Sequence, residues 1–486
     1  MTPEVPAAAS AAEESYYEAH RKVYPREISG RFSNLRRLAA WILLGVFYAT
    51  PWLRWDDRQA ILFDLPARKF HLLGLTLWPQ DFIYLTWLLV IAALSLFFFT
   101  AIGGRLWCGY ACPQTVWTEA FLWLEKITEG DRAKRMKLDA SPWSMDKLRR
   151  KSAKQFLWIT FAAWTGFTFV GFFTPIHSLA EAALRLTLGP WETFWVLFYG
   201  FATYGNAGYL REQVCKYMCP YARFQSAMFD KDTLVITYDA ARGEPRGGRQ
   251  RGVDPRSRGL GDCTDCTLCV QVCPTGIDIR KGLQHECIAC AECVDACDSV
   301  MDRMGYPRGL VRYATEHSLG NQPSKLLRPR VLVYAALLLL LCVGLVVSLA
   351  TRRPVGLDAI HDRNTLYRSL ETGEIENVYL LKIMNKDARP HRFLVSVADS
   401  TDPDDSEHYR LAESSRQFEV PSGEVYNAAV AVRRDAWEDP DREDETEPAQ
   451  TAAGGSAKIR LTITAAEDPG LHATAEARFF MPAEDD

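Results

Sequence analysis

Residues 263–274 read CTDCTLCVQVCP and residues 287–298 read CIACAECVDACD. Both follow C-x-x-C-x-x-C-x-x-x-C. A cubane iron–sulfur cluster needs four thiolates. Three closely spaced cysteines wrap one corner, and the fourth comes from elsewhere. In bacterial two-cluster chains with this spacing the fourth cysteine of each run serves the other cluster. The pattern therefore predicts one [4Fe–4S] cluster on Cys263, Cys266, Cys269 and Cys297, and a second on Cys287, Cys290, Cys293 and Cys273. Structural zinc takes four ligands in all, so two triads with two outlying cysteines match it poorly. Asp298 stands where proline is usual, and the turn there is expected to differ.

A second pattern occurs twice: CGYACPQ at 108–114 and CKYMCPYARFQS at 215–226. Each Cys-x-Tyr-x-Cys-Pro comes just after an apolar stretch. Proline disfavours helix in the residue before it and suits the first turn of a new one. Cys112 and Cys219 are therefore predicted at N-caps, with helices through 113–126 and 220–230. The positive end of a helix dipole lowers a thiol's pKa, and Arg211, Lys216 and Arg223 are expected to add to this at the second pair. Thiolates are soft ligands that select Cu(I), zinc or iron–sulfur. Packing at a helix end would explain one such pair. Two matching pairs beside clustered ligands favour redox or metal chemistry at Cys108, Cys112, Cys215 and Cys219. Lone Cys342 reads as packing.

These cysteines must be positioned by membrane elements. Residues 82–102, 156–176 and 331–350 are apolar runs long enough to cross a bilayer. Residues 38–53 and 193–210 are weaker runs; the first is short and the second holds Asn206 and several glycines. The expectation is five spans, the first four forming a repeat of two hairpins that each end in Cys-x-Tyr-x-Cys-Pro. Lys and Arg crowd the segment before the first span and the 103–155 loop, while the 177–192 loop has only Arg185. By the positive-inside rule the N-terminus lies inside, which puts 211–330 inside and 352–486 outside. Arg352 and Arg353 run slightly against this assignment. No cleavable signal peptide is evident, since the first apolar run starts late, behind many arginines. The spans hold no histidine, which argues against haem b.

The chain has 486 residues and a net charge of −4, and the balance gives no support for nucleic-acid binding. Its thirteen cysteines avoid residues 1–107 and 352–486, so they read as ligands rather than a disulfide framework. Residues 1–15 are Ala/Glu-rich and expected to be disordered. The Arg/Gly-rich stretch between Asp232 and Gly261 reads as a flexible basic linker near anionic headgroups. Past 352, apolar residues alternate at Tyr379, Leu381 and Ile383, at Phe393, Val395 and Val397, and at Ile459, Leu461 and Ile463. Turn residues at 385–387 and 421–423 separate strands, which predicts a β-sandwich of immunoglobulin type without a disulfide. The acidic run 438–448 reads as a solvated loop. The expected fold is a multi-domain membrane protein: a helical bundle of about five spans, an inserted bacterial dicluster ferredoxin-like module and a C-terminal all-β domain. Its parts are a cytoplasmic tail (1–37), a four-span domain (38–230), a cytoplasmic ferredoxin domain (231–328), a fifth span (330–351) and a periplasmic sandwich (352–486).

The stretches WCGYACPQTVWTEAF, REQVCKYMCPYARFQSAMFDKDTL, RGEPRG and GDCTDCTLCVQVCPTGIDIRKGLQHECIACAECVDACDSVMDRMGYPRGL resemble the FixG/RdxA/CcoG family of cytochrome oxidase accessory proteins over most of residues 30–320. The resemblance implies a multi-pass iron–sulfur protein of the bacterial inner membrane. It would be a cupric reductase that turns Cu(II) into Cu(I) for the copper centre of a cbb3-type cytochrome c oxidase. The eight ferredoxin-type cysteines carry over as cluster ligands, and Cys108, Cys112, Cys215 and Cys219 as the copper or redox cysteines. Implied partners are the lipid bilayer, copper ions or a copper chaperone, oxidase assembly factors and an unnamed cytoplasmic electron donor, with a homodimer as one assembly it allows. Two other functions fit the same motifs: a ferredoxin-type subunit that oxidises quinol, and a non-enzymatic assembly scaffold.

Overall fold

The computed structural model describes residues 22–55, 58–320, 322–387, 389–399, 408–434 and 456–482. The Ala/Glu-rich start and the acidic run 438–448 lie outside the described residues. The chain divides into two units, one of 1–71 with 79–342 and the other of 72–78 with 343–486.

The main helices are α1 (Arg31–Ala49), α2 (Phe82–Gly103), α3 (Pro113–Glu129), α4 (Met145–Val170), α5 (Pro190–Thr203), α6 (Pro220–Ala227), α7 (Glu292–Met304) and α8 (Pro329–Ala350). α2 and α8 are apolar on all sides, with mean hydropathy 2.4 and 2.8, and almost none of that surface is buried by protein. Both have the length and composition of a membrane span. Among the described residues these two alone are long and apolar enough to cross a membrane. The other three expected spans fall on helices of mixed character. α1 stops at Ala49 before a single 3-10 turn. α4 begins with Lys147, Arg149, Arg150, Lys151 and Lys154 and ends at Val170. α5 has 14 residues and continues into a π-helical stretch, Tyr204–Leu210. Their outer faces are nonetheless apolar: Trp41, Val46, Phe156, Ile159, Leu197 and Phe201 are exposed. α4 and α5 meet closely because Gly166 faces Gly200; a Cβ on Gly166 would lie 2.8 Å from the Gly200 nitrogen. Small residues at such a crossing let the two helix backbones approach closely.

Strands β1 (Val235–Tyr238) and β2 (Val311–Ala314) pair antiparallel and bracket both cysteine runs. Ile236, Leu268, Val272, Val294, Met301 and Leu310 form the core between them and α7. The basic stretch 232–261 is not a free linker. Arg242 binds Asp262 at 2.5 Å, and Arg249 donates to the Tyr306 hydroxyl at 2.9 Å. Its arginines thus stitch the stretch to the module, because charged partners lie within reach. The described part of the N-terminal tail is also held: Lys22 and Tyr24 both donate to Asp139, and the Arg26 N–H to Gln271 O at 2.8 Å.

The second unit is a two-sheet sandwich. Its strands are β3 (Val355–His361), β4 (Ile375–Asn385), β5 (His391–Asp399), β6 (Tyr409–Leu411), β7 (Gln417–Val420), β8 (Val425–Arg434), β9 (Ser456–Ala465) and β10 (His472–Phe480). One sheet runs β6-β8-β4-β3 and the other β7-β5-β9-β10. The alternating residues Tyr379, Leu381, Ile383, Phe393, Ile459, Leu461 and Ile463 are fully buried between them. This is the predicted immunoglobulin-type sandwich, and period-two burial is what makes it legible.

Candidate metal centre

Each cysteine run folds into the same loop. Asp265 and Thr267 flank Cys266 with φ of 50° and 56°; Ala289 and Ala291 flank Cys290 with φ of 54° and 61°. Left-handed backbone is uncommon for residues other than glycine, so its repetition at two matched positions marks a built cradle. Such turns aim successive N–H groups inward and make the concave anion sites that hold iron–sulfur groups. The fourth cysteine of each run lies with the other run. Cys297 acts electrostatically on Cys269 and Cys263 and lines one cavity with Cys263, Cys266 and Cys269. Cys273 does so on Cys287, Cys290 and Cys293. Burial pushes the Cys287 thiol up to about 11, so a metal is needed to hold it as thiolate at neutral pH. The cradle and the soft donor set fit two four-thiolate clusters.

Asp298 lies inside α7 and accepts the Gly309 N–H at 2.9 Å. The first run instead breaks its short helix before Pro274. The two turns therefore differ because proline cannot continue a helix.

Cys112 and Cys219 are the N-cap residues of α3 and α6, with Pro113 and Pro220 at the first helical position. α3 runs on to Glu129 and α6 stops at Ala227. Cys108 feels the charges of Cys112, Cys215 and Cys219, so the two motifs lie near one another. Among the described residues no three His, Cys, Asp or Glu side chains converge on a single-ion site.

The expected thiolate character is corrected at Cys112. Burial pushes both Cys108 and Cys215 up to about 12. Cys112 also rises by burial, opposed by the Thr115 and Gln114 N–H groups. Desolvation outweighs the helix dipole here. The cation acting on Cys108 and Cys215 is Arg105. Arg211 is instead tied to the buried carboxylate of Glu125 at 2.8 Å. The side chain of Arg223 lies outside the described residues.

Arg105, Gly109 and Tyr110 are what the motif reading missed. Arg105 is buried and donates to the carbonyls of Ala222, His285 and Cys287. It thereby ties the segment beside Cys219 to the second cysteine run. A Cβ on Gly109 would meet the carbonyl oxygens of Ile288 and Ala289, each at 2.9 Å. The Tyr110 hydroxyl reaches the Cys290 carbonyl at 3.4 Å. The first motif thus rests directly on the loop of the second run. Cys215, Pro274, Thr275 and Ile288 are among the residues that line a small cavity of about 30 Å³. An arginine directly between an apolar run and a cysteine pair was a readable signal for Arg105.

A buried ionic network braces this junction. Glu125 also meets Arg135 at 3.3 Å, and Glu129 meets Lys151 and Lys154, both at 2.9 Å. Arg211, at φ 39°, joins two π-helical stretches, Tyr204–Leu210 and Val214–Met218. Such stretches are frequent at functional sites.

Cysteine cradles, a bracketed two-run module and an immunoglobulin-like sandwich define the class: an iron–sulfur electron-transfer protein of ferredoxin type. Residues 210–316 match a 4Fe-4S dicluster domain, residues 85–129 a 4Fe-4S binding domain, and residues 345–482 the IG-like fold at the C-terminal of FixG. The nitrogen fixation protein FixG of Rhizobium meliloti is 40% identical over 76% of this chain and 78% of its own. Protein RdxB of Cereibacter sphaeroides is 40% identical over 80% and 84%. The crystal structure of a FixG-related protein from Vibrio parahaemolyticus matches 26% of this chain and 97% of its own, at 25% identity and TM-score 0.20. The chain belongs to the FixG/RdxA/RdxB family.

Proposed function

We propose that this chain is a cupric reductase of the bacterial inner membrane. Electrons pass from the 263–297 module to Cys108, Cys112, Cys215 and Cys219, where Cu(II) takes one electron and becomes Cu(I) for the copper centre of a cbb3-type oxidase. The observation that carries the reading is the seating of Gly109 and Tyr110 on the loop of residues 288–290. It supports a short route from the second set of cluster ligands to the thiols.

Bound [4Fe–4S] clusters would supply one-electron transfer. Cys266 is the exposed member of its set, so the first set faces a soluble donor while the second faces the membrane-edge thiols. Copper enters as substrate. The thiols of Cys108, Cys112 and Cys215 are held neutral by burial, and binding copper releases their protons. Soft thiolate favours Cu(I) over Cu(II), which pulls the couple toward reduction. Without a three-ligand cage the ion is held by a pair of thiols and passes on, to a copper chaperone or oxidase assembly factor. The exposed apolar faces of α1, α4 and α5 support five spans, with the iron–sulfur module inside and the sandwich outside.

The test replaces Cys215 and Cys219 with Ser in anaerobically purified, chemically reduced protein. Iron and sulfide content should stay unchanged while Cu(II) reduction is lost. Unchanged reduction at full iron content would return these cysteines to a packing role.

A further inference from the structure

Between α1, α3, α4 and α5 lies a cleft of about 360 Å³ that the copper reading does not use. Phe47, Trp117, Phe169 and Tyr199 form its walls, and Gln114 and Asn206 contribute amides. Pro113, bonded to Cys112, also lines it. The Trp117 indole is fixed by donating to Thr165 at 3.3 Å, and Gln114 by donating to the Asn206 carbonyl at 2.8 Å. The Asn206 amide and the Tyr199 hydroxyl make no hydrogen bond to any described residue, although both border the cleft. Asn206 stands on the π-helical stretch after α5, whose wider turn changes the direction of its side chain relative to a regular helix. Idle donors at an aromatic wall imply a ligand with oxygen acceptors and a flat apolar body. The outer faces of the same helices are apolar, so such a ligand arrives through lipid.

We propose that this cleft binds the ring of a lipid-soluble quinone, with Asn206 and Tyr199 donating to its oxygens. The volume falls within the range of small-molecule sites, which are mostly apolar with a few placed polar groups. An acyl chain would fill the walls but leave both donors idle. The ring would lie near Pro113, the residue that follows Cys112.

The test is a binding titration of the full-length, iron-loaded protein with a decyl-benzoquinone, followed by saturable quenching of tryptophan emission. Decanol serves as the tail-only control. The wild type should saturate with the quinone and not respond to decanol. N206L, which keeps the side chain's shape and removes its amide donor, should weaken binding about tenfold or more. Y199F, which removes one hydrogen bond and no bulk, should weaken it about fivefold. Unaltered binding in both variants, or displacement of the quinone by decanol, overturns the proposal in favour of a lipid-tail groove. No copper is present in the assay, so its failure leaves copper reduction untouched, and the reverse holds.

Discussion

Gly109→Ala isolates the contact between the first Cys-x-Tyr-x-Cys motif and the second cluster loop. Gly109 lies in the short helix Leu106–Tyr110 and does not have positive φ. By helix propensity alone, alanine there should stabilise by about 1 kcal/mol. The added methyl would stand 2.9 Å from the carbonyl oxygens of Ile288 and Ala289. These oxygens cannot easily give way. Ala289 O accepts the Tyr313 hydroxyl at 2.6 Å, and the neighbouring Cys287 O accepts from Arg105 at 3.2 Å. Overpacking of this kind costs about 1–3 kcal/mol. The two effects have opposite signs, and the packing penalty exceeds the propensity gain over most of its range. Undocking of the loop should therefore become easier by up to ~2 kcal/mol, about 30-fold. The assay is iron release to a chelator from anaerobically purified protein, with hydrogen exchange at 287–291 as the local readout. Faster release of the second cluster's iron and faster exchange in that loop are expected. Slower release than wild type would show that propensity wins, that the motif does not bear on the loop, and that the electron route argued from it is wrong.

Other perturbations bear on neighbouring parts. Asp298→Pro would restore the usual motif but should destabilise by ~3 kcal/mol or more, because residue 298 lies inside α7; its iron content should fall toward half, and full iron would refute the helix assignment. Glu125→Gln leaves Arg211 and Arg135 buried without their counter-charge and should cost about 3–5 kcal/mol, seen as a lower midpoint of thermal unfolding. The thiols of Cys108 and Cys215, pushed up to about 12 by burial, are protonated at neutral pH. Their alkylation should rise about tenfold per pH unit from pH 7 to 10; a plateau near pH 8 would indicate ordinary or depressed thiols.

What the sequence disclosed depended on how local each constraint is. The dicluster module was legible because cubane chemistry enforces short, fixed cysteine spacings, and the sandwich because Tyr379, Leu381 and Ile383 alternate into a dry core. The N-caps at Cys112 and Cys219 were legible because the following proline acts on its immediate neighbour. Thiol protonation was not, since it depends on burial by distant segments, and desolvation overrode the local dipole. The basic stretch at 232–261 was misread for the same reason: Asp262 and Tyr306, which hold its arginines, are assigned to them only by the fold. The duplicated motif shows the limit most clearly. Gly109 in the first copy corresponds to Lys216 in the second, and Tyr110 to Tyr217. As text, the difference is a detail between two repeats. In the folded chain it separates their roles, because a lysine at the first position would meet the carbonyls of residues 288 and 289, whereas Tyr217 of the second copy is exposed. The two copies stand near one another, and a single glycine lets one of them rest on the loop of residues 288–290.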